Sequence, residues 1–348
     1  MEINDKIDKL KNEGYNIWSY SRLGTFHNCE LEYYNTYIKK NRGIGNCYTF
    51  LGSELHSYIE DAYRENKTNF DDFNQVIHDK LFEMDIMGMD FPSEKIKESY
   101  VKDLDHFTKN FKKLSGNFEL EKPFLLNVDN IYIRGFIDFV LTEKIENGNS
   151  KVTVIDWKSS SKFTGKKKLL EAGRQLVIYK LALEQTSDLK IDNVKWCMLK
   201  YVYVNWKLKN GKLKQKMVNR GKIISEMKAT FEKEMINSGI NEFEVETLLF
   251  EAEQKNDISI LPKCITDNYW ITDCFVEYEV TDNVVSEVKE YVKNTVSQIE
   301  SKSNDVNEWN HVNFDEEGTF YCNTLCSHRQ SCEFIKEYNK KNQFKKSY

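Results

Sequence analysis

The sequence predicts a mixed α/β fold built on a βββαβ unit, with helical segments before and after it. Three runs rich in β-branched and aromatic residues follow one another between residues 118 and 160, separated by turn-forming residues at 129–130 and 146–150. Residues 169–186 then place apolar side chains at helical spacing, and a strand-like run at 194–209 leads into an Asn210-Gly211 turn. The first three runs predict an antiparallel meander.

The pattern changes along the chain predict four regions. Residues 1–115 are mostly helical in pattern, residues 116–220 hold the βββαβ unit, residues 221–310 are again helical with one interruption, and residues 311–348 are rich in cysteine and end in a basic tail.

The composition predicts a soluble folded protein, with 40% hydrophobic and 30% charged residues in 348. The net charge of −5 argues against nonspecific coating of nucleic acid but permits a local basic groove. No apolar stretch approaches the roughly 18 residues of a membrane span, and the first residues lack the apolar centre of a signal peptide. We therefore expect a cytoplasmic protein without a membrane partner.

One strand of the predicted sheet ends in an acid and a base. In "VTVIDWKSSSK", Asp156 and Lys158 lie on one face of the strand because side chains alternate, and Trp157 lies on the other. Asp138 on the preceding strand would converge on the same edge, and paired carboxylates suit Mg²⁺ or Mn²⁺. Taken alone, however, the Asp-x-Lys spacing more often marks a solvated ion pair.

Five segments, in order, resemble motifs of the PD-(D/E)XK nuclease superfamily in its RecB-like branch. They are "YSRLGTFHNCELEYYNTYI" at 20–38, "GSELHSYIE" at 52–60, "RGFIDFV" at 134–140, "VIDWKSS" at 154–160 and "RQLVIYKLAL" at 174–183. The resemblance implies a restriction-endonuclease-like core with helical N-terminal and C-terminal elaborations.

The resemblance also implies roles for individual residues. His56, Asp138 and Asp156 would bind the divalent ion with the backbone carbonyl of Trp157, and Lys158 would be the catalytic lysine. The first-strand acid that the family often has would be Glu121 or Glu119. In the following helix, Gln175 and Tyr179 would orient the lysine or touch the DNA backbone, although Tyr179 fits core packing equally well.

The clustered cysteines Cys322, Cys326 and Cys332 need a fourth ligand to hold a metal or cluster. The resemblance implies that Cys29 supplies it and that the four hold a 4Fe-4S cluster, which would clasp the two ends of the chain together. Three residues separate Cys322 from Cys326, where the family usually has two. Zinc remains the alternative, with His328 as a possible substitute for one cysteine.

The lysines that follow the Asp-x-Lys strand are candidates for DNA contact, although a solvated loop is the simpler interpretation. They are Lys162, Lys166, Lys167 and Lys168. A position beside a phosphodiester site favours phosphate binding.

These features together predict a metal-dependent DNA nuclease. We expect an exonuclease on single-stranded or end-resected DNA, serving recombination, repair, phage DNA metabolism or CRISPR adaptation, alone or beside a helicase or integration partner. A non-catalytic module that binds DNA ends is the alternative from another class, and an RNA nuclease stays open.

Overall fold

The computed structural model of the protein describes residues 3–65, 70–144, 150–187, 189–208 and 210–343. Seven strands of the described residues form one sheet. The strands are β1 (Ile17–Trp18), β2 (Asn117–Val128), β3 (Ile131–Lys144), β4 (Ser150–Lys158), β5 (Asn193–Lys207), β6 (Leu213–Asn219) and β7 (Tyr269–Glu277).

Helices surround this sheet on both faces. The α-helices are α1 (Ile3–Asn12), α2 (Tyr20–Asn28), α3 (Glu30–Tyr33), α4 (Cys47–Glu65), α5 (Phe70–Met87), α6 (Glu94–Asn110), α7 (Lys166–Thr186), α8 (Ile223–Asn237), α9 (Glu242–Lys255), α10 (Lys263–Thr266), α11 (Asp282–Glu300), α12 (Phe314–Glu317) and α13 (Glu333–Gln343). Two π-helical turns, Tyr34–Ile38 and Tyr321–Leu325, accompany them. None of the helices in the described ranges is long and apolar enough to cross a membrane.

The βββαβ order is confirmed. β2, β3 and β4 form an antiparallel meander, and β5 returns parallel to β4 after α7. Asp129 and Asn130 both have positive φ, 48° and 68°, which is typical of a two-residue hairpin turn whose twist matches its strands. Of the predicted turn at 146–150, residues 146–149 lie outside the described residues and Ser150 begins β4.

The segment 221–310 differs from its helical expectation because it contains β7. This strand pairs antiparallel with β5 and forms one edge of the sheet. Its sequence, "YWITDCFVE", is rich in the aromatic and β-branched residues that suit a pleated surface. The interruption between the helical patterns was therefore a strand signal.

Two large apolar cores lie on opposite faces of the sheet. The α7-side core contains residues of α2, α7 and α11, whereas the α4-side core contains residues of α4, α5 and α6. Trp157 packs in the α4-side core, while Val154 packs in the α7-side core. The predicted alternation of faces along β4 is thus confirmed, and it directs Asp156 and Lys158 toward α7.

Candidate active site

The candidate active site lies where β3 and β4 separate. Their ladder ends at the pair Phe139 and Ile155. One step further, the backbone N–H of Trp157 donates a hydrogen bond to Asp138 Oδ2 at 3.0 Å. A side chain thus replaces the missing backbone partner, and this brings Asp138 beside the end of β4.

A local change of backbone direction brings Glu121 to the same place. Glu121 has φ 46°, and the β2–β3 ladder omits the pair that it would form with Asp138. Leu120, which precedes Glu121, packs with the α4-side core, whereas Phe124, which follows it, packs in the α7-side core. The strand therefore exchanges faces at Glu121. Positive φ costs a residue with a side chain about 1–2 kcal/mol, and such strain is concentrated at functional sites.

Three side chains meet here in a group that fits a metal ion. One ligand atom from each of His56, Glu121 and Asp138 lies within 4.8 Å of the others, and all three residues are half-buried. We call them the three-ligand group. Glu119, the other first-strand candidate, is exposed and its carboxylate lies 2.6 Å from Lys122 Nζ. The structure therefore favours Glu121.

His56 is oriented by the backbone of β4. Its Nε2 donates to the carbonyl oxygen of Trp157 at 3.0 Å, and its Nδ1 lies 3.7 Å from Asp138 Oδ2. Burial lowers the pKa of His56, which favours the neutral ring. Because Nε2 then carries the proton, Nδ1 keeps a lone pair directed at the carboxylates. Metal-binding histidines are commonly held by such a bond from the other ring nitrogen.

This contact changes the expected role of the Trp157 carbonyl. The family resemblance implied that this oxygen binds the metal ion, but here it accepts the hydrogen bond of His56. A carbonyl oxygen has a second lone pair, so ion binding by Trp157 stays a prediction.

Gly52 permits the close approach of α4 to the end of β4. A Cβ atom at this position would lie 2.9 Å from Ser159 Oγ, closer than real Cβ atoms come to a neighbour. The residue is one helical turn before His56. The Gly-x-x-x-His spacing therefore places the histidine against the strand that carries the Asp-x-Lys motif.

Lys158 is fixed by a chain of polar contacts. Its Nζ lies 2.8 Å from Asp156 Oδ2 and donates to Gln175 Oε1 at 2.8 Å. Gln175 Nε2 in turn donates to the hydroxyl of Tyr179 at 2.6 Å. Tyr179 is buried and its ring contacts Phe124. Tyr179 therefore packs in the core, while its hydroxyl ends this series of polar contacts. Its role in orienting the lysine stays a prediction.

The site carries more negative charge than its own cations balance. Burial raises the pKa of Asp138 well above its usual value, and the neighbouring Asp156 carboxylate raises it further. Asp156 is almost fully buried, yet among the described residues its Oδ2 accepts no hydrogen bond of good geometry. Asp156 lies outside the three-ligand group. A bound cation would relieve both features, so these residues fit a divalent ion.

The predicted DNA-contacting lysines are exposed beside this site. Lys162 lies in the loop after β4, and Lys166, Lys167 and Lys168 form the first turn of α7. The free N–H groups and the dipole of a helix N-terminus also favour anions. Lysines at this end of α7 therefore add to an existing preference for phosphate.

The four predicted cluster ligands, which are far apart in the sequence, also meet around one cavity. A cavity of about 240 Å³ is lined by Cys29, Cys322, Cys326 and Cys332, together with His328. We call it the cysteine cavity. Burial raises the pKa of Cys29 to about 11 and that of Cys322 to about 12. Metal binding would have to displace these protons.

The chain ends are also joined around this cavity by hydrogen bonds. The carboxylate of Glu32 accepts from the backbone N–H and the hydroxyl of Ser327, both at 2.8 Å. Gly43 has φ 65°, and a Cβ there would lie 2.4 Å from the Ser327 carbonyl oxygen. Only glycine fits that approach without displacement.

The unusual Cys322–Cys326 spacing has a structural explanation. Residues Tyr321–Leu325 form a π-helical turn, in which Cys326 N–H bonds to the Tyr321 carbonyl at 2.8 Å. A π turn holds one residue more than an α turn. The additional residue between the two cysteines is therefore accommodated within the turn, and both thiols still reach the cavity.

Comparison with known families agrees with this geometry. A family profile described as the PD-(D/E)XK nuclease superfamily matches residues 17–333. The search of curated proteins found no match. The matched range includes the whole sheet, the three-ligand group, Lys158 and all four cysteines of the cavity. The chain therefore belongs to the PD-(D/E)XK nuclease superfamily.

Proposed function

From this membership in a superfamily of metal-dependent nucleases, we propose that the protein is a deoxyribonuclease. It hydrolyses phosphodiester bonds with Mg²⁺ or Mn²⁺ and acts as an exonuclease on single-stranded or end-resected DNA. The observation that carries the proposal is the convergence of the three-ligand group with the held ammonium of Lys158. A helicase or integration machinery that produces free ends would supply its substrate.

The ion would be held by His56, Glu121 and Asp138, with Asp156 close by. When bound, such an ion polarises a phosphoryl oxygen and lowers the pKa of a water ligand. The family resemblance implied His56, Asp138 and Asp156 as the metal ligands. The contacts of the described residues favour Glu121 as a ligand and give Asp156 the additional task of holding Lys158.

Lys158 donates hydrogen bonds to a phosphoryl oxygen as negative charge develops there. Preorganised cationic donors of this kind stabilise transition states because they need no rearrangement during reaction. Asp156 pairs with the ammonium at 2.8 Å, and Gln175 fixes its direction. The lysines of the α7 N-terminus hold the adjoining phosphates, although the chain as a whole is acidic.

A DNase assay tests the proposal. Purified protein is incubated with end-labelled single-stranded and double-stranded DNA, with Mn²⁺, Mg²⁺ or EDTA, and an RNA of the same sequence is included. We expect metal-dependent release of labelled nucleotides from DNA, faster from single strands. Failure to degrade DNA with either ion would leave the alternative, a module that binds DNA ends without cutting them. Preferential degradation of the RNA would contradict the choice of DNA.

Replacing Glu121 should weaken metal binding, and Glu119 provides the matched control. We expect Glu121→Gln to raise the Mn²⁺ concentration for half-maximal activity at least about tenfold, because losses around metal sites typically cost 10–100-fold in affinity. Glu119→Gln, two residues away on the exposed surface, should change it less than twofold. Calorimetric titration with Mn²⁺ measures the same difference without substrate. Equal effects of the two changes would remove Glu121 from the site.

Replacing Gln175 should disturb the lysine without removing it. We expect Gln175→Ala to lower kcat about tenfold with little change in KM, because the ammonium stays in place beside Asp156 but loses a hydrogen bond that fixes its direction. Gln185→Ala, near the end of the same helix, is the control. A rise in KM with unchanged kcat would instead indicate that Gln175 binds the DNA backbone.

The cysteine cavity is proposed to hold a 4Fe-4S cluster. A four-thiolate zinc site needs Zn–S distances of about 2.3 Å, which draws the four sulfurs close together. Within the described ranges no three of these sulfurs lie within 4.8 Å of one another, and the cavity has room for more than one ion. Both observations favour a cluster over zinc.

A further inference from the structure

One large aromatic side chain is exposed right beside the candidate active site. Phe136 lies on β3 two residues before Asp138, and 59% of its surface is accessible. Exposed phenylalanine on a central strand contributes little to folding. Other large apolar side chains are equally exposed, and what distinguishes Phe136 is its place two residues from a candidate metal ligand.

The neighbouring residues establish the direction in which Phe136 points. Ile133 and Ile137 belong to the α7-side core, and a Cβ at Gly135 would lie 2.7 Å from the Phe124 ring on that side. Because side chains alternate along a strand, Phe136 points to the opposite face. That is the face on which α4 packs and from which His56 reaches Asp138. Phe136 thus shares the open side of the three-ligand group.

An exposed cation forms a row with Phe136 on the same face of β3. Arg134 lies two residues before Phe136 on the same face, is exposed, and forms no ion pair with any described acidic side chain. Alternate residues of a strand are about 6.7 Å apart. Arg134 and Phe136 therefore present a positive charge and an aromatic ring on one face of β3, in the stretch that leads to the carboxylate of Asp138.

We propose that this row binds one unpaired DNA strand at the active site. A base adjacent to the scissile phosphate stacks on Phe136, and a phosphate further along the strand pairs with Arg134. This inference rests on the proposed nuclease function and specifies its substrate as single-stranded. In a duplex, each base is already paired and stacked, so its face is closed to the ring. Stacking of a base on an aromatic side chain contributes about 1–3 kcal/mol.

The test measures binding without hydrolysis. A fluorescein-labelled 20-nucleotide oligo(dT) and a blunt-ended DNA hairpin are titrated with the full chain in EDTA, and fluorescence anisotropy gives Kd. We expect Phe136→Ala to weaken oligo(dT) binding by roughly 5- to 150-fold and to change hairpin binding less than twofold. Phe136→Trp should restore oligo(dT) binding. Phe243→Ala, at an exposed phenylalanine of α9, is the matched control and should change neither Kd.

Salt dependence tests Arg134 separately. We expect Arg134→Ala to reduce the slope of log K against log salt for oligo(dT) by about 0.7, the value for one phosphate contact to a single strand. Lys233→Ala, at an exposed cation of α8, should leave the slope unchanged.

Two outcomes would overturn the inference. One is unchanged oligo(dT) affinity in Phe136→Ala, and the other is equal weakening for oligo(dT) and hairpin. Failure of the proposed nuclease function would give a result different from either of these outcomes. If the wild type degrades no DNA with Mn²⁺ but oligo(dT) binding depends on Phe136, the proposed function fails and the single-strand row stands.

Discussion

Substitution of Lys158 with alanine is expected to reduce the DNA hydrolysis rate by about 10²–10³-fold, the usual loss when one donor to a developing oxyanion is removed. The ammonium lies at the end of β4 with Asp156 and Gln175 as its partners. The other cations beside the site, which we propose hold the DNA backbone, are unchanged in this variant. Oligo(dT) binding in EDTA should therefore change less than threefold. The rate is measured with end-labelled DNA and saturating Mn²⁺.

A stability control is needed because Asp156 is almost fully buried. Removal of its cation leaves a buried carboxylate unpaired, which typically costs 3–5 kcal/mol. Lys158→Gln keeps a side chain that can bond to Gln175 and should be equally inactive. Lys144→Ala, at the C-terminal end of β3 and outside the candidate active site, should keep full activity. If folded Lys158→Gln hydrolyses DNA at the wild-type rate, Lys158 is not catalytic.

The local part of the candidate active site could be predicted from the sequence. The period of two along β4 placed Asp156 and Lys158 on one face, and the Asp129-Asn130 turn set the β2–β3 hairpin. Both are short-range consequences of backbone geometry. The contact of His56 with the β4 backbone joins residues 101 positions apart. No periodicity predicts such a contact, and the family resemblance indicated only that His56 belongs beside the carboxylates.

The choice between Glu121 and Glu119 shows where sequence reasoning stops. Both residues fit the first-strand acid, and alternation places them on one face. The structure separates them because the backbone at Glu121 turns into positive φ and both strands exchange faces there. Glutamate carries no preference for that conformation, so nothing in the sequence marks the turn. Nothing in the sequence marks the π-helical turn at Tyr321–Leu325 either.

The cysteine cavity connects this local chemistry to the whole chain. Cys29 lies at the junction of α2 and α3, and α2 packs in the same core as α7, which carries Gln175. The three C-terminal cysteines follow the last long helix, α11. A cluster there would fix the two ends of the chain against the face of the sheet that directs Lys158, so its loss should affect stability before it affects chemistry.

Replacement of Cys29 by serine is expected to abolish the cluster. Serine is a poor ligand for iron, and three thiolates leave one iron without a protein ligand. Anaerobically purified wild type should contain iron and sulfide and absorb visible light, whereas Cys29→Ser should be nearly colourless. The matched control is Cys264→Ser, at a half-exposed cysteine outside the cavity, which should retain iron and colour.

The stability effect should be large because the cluster joins residues almost 300 positions apart in the chain. Cross-linking a loop of that length restricts the unfolded chain by on the order of 5 kcal/mol in the chain-entropy model. We expect urea unfolding of Cys29→Ser to match that of wild type from which iron has been removed, and both to fall below the iron-loaded protein by roughly this amount. Comparison with the iron-free wild type separates the lost cross-link from the cost of burying a serine hydroxyl. Stoichiometric zinc in a colourless wild type would replace the cluster with a zinc site. Wild type from which iron has been removed could instead be as stable to urea as iron-loaded Cys264→Ser. In that case packing and the Glu32–Ser327 hydrogen bonds alone hold the chain ends together.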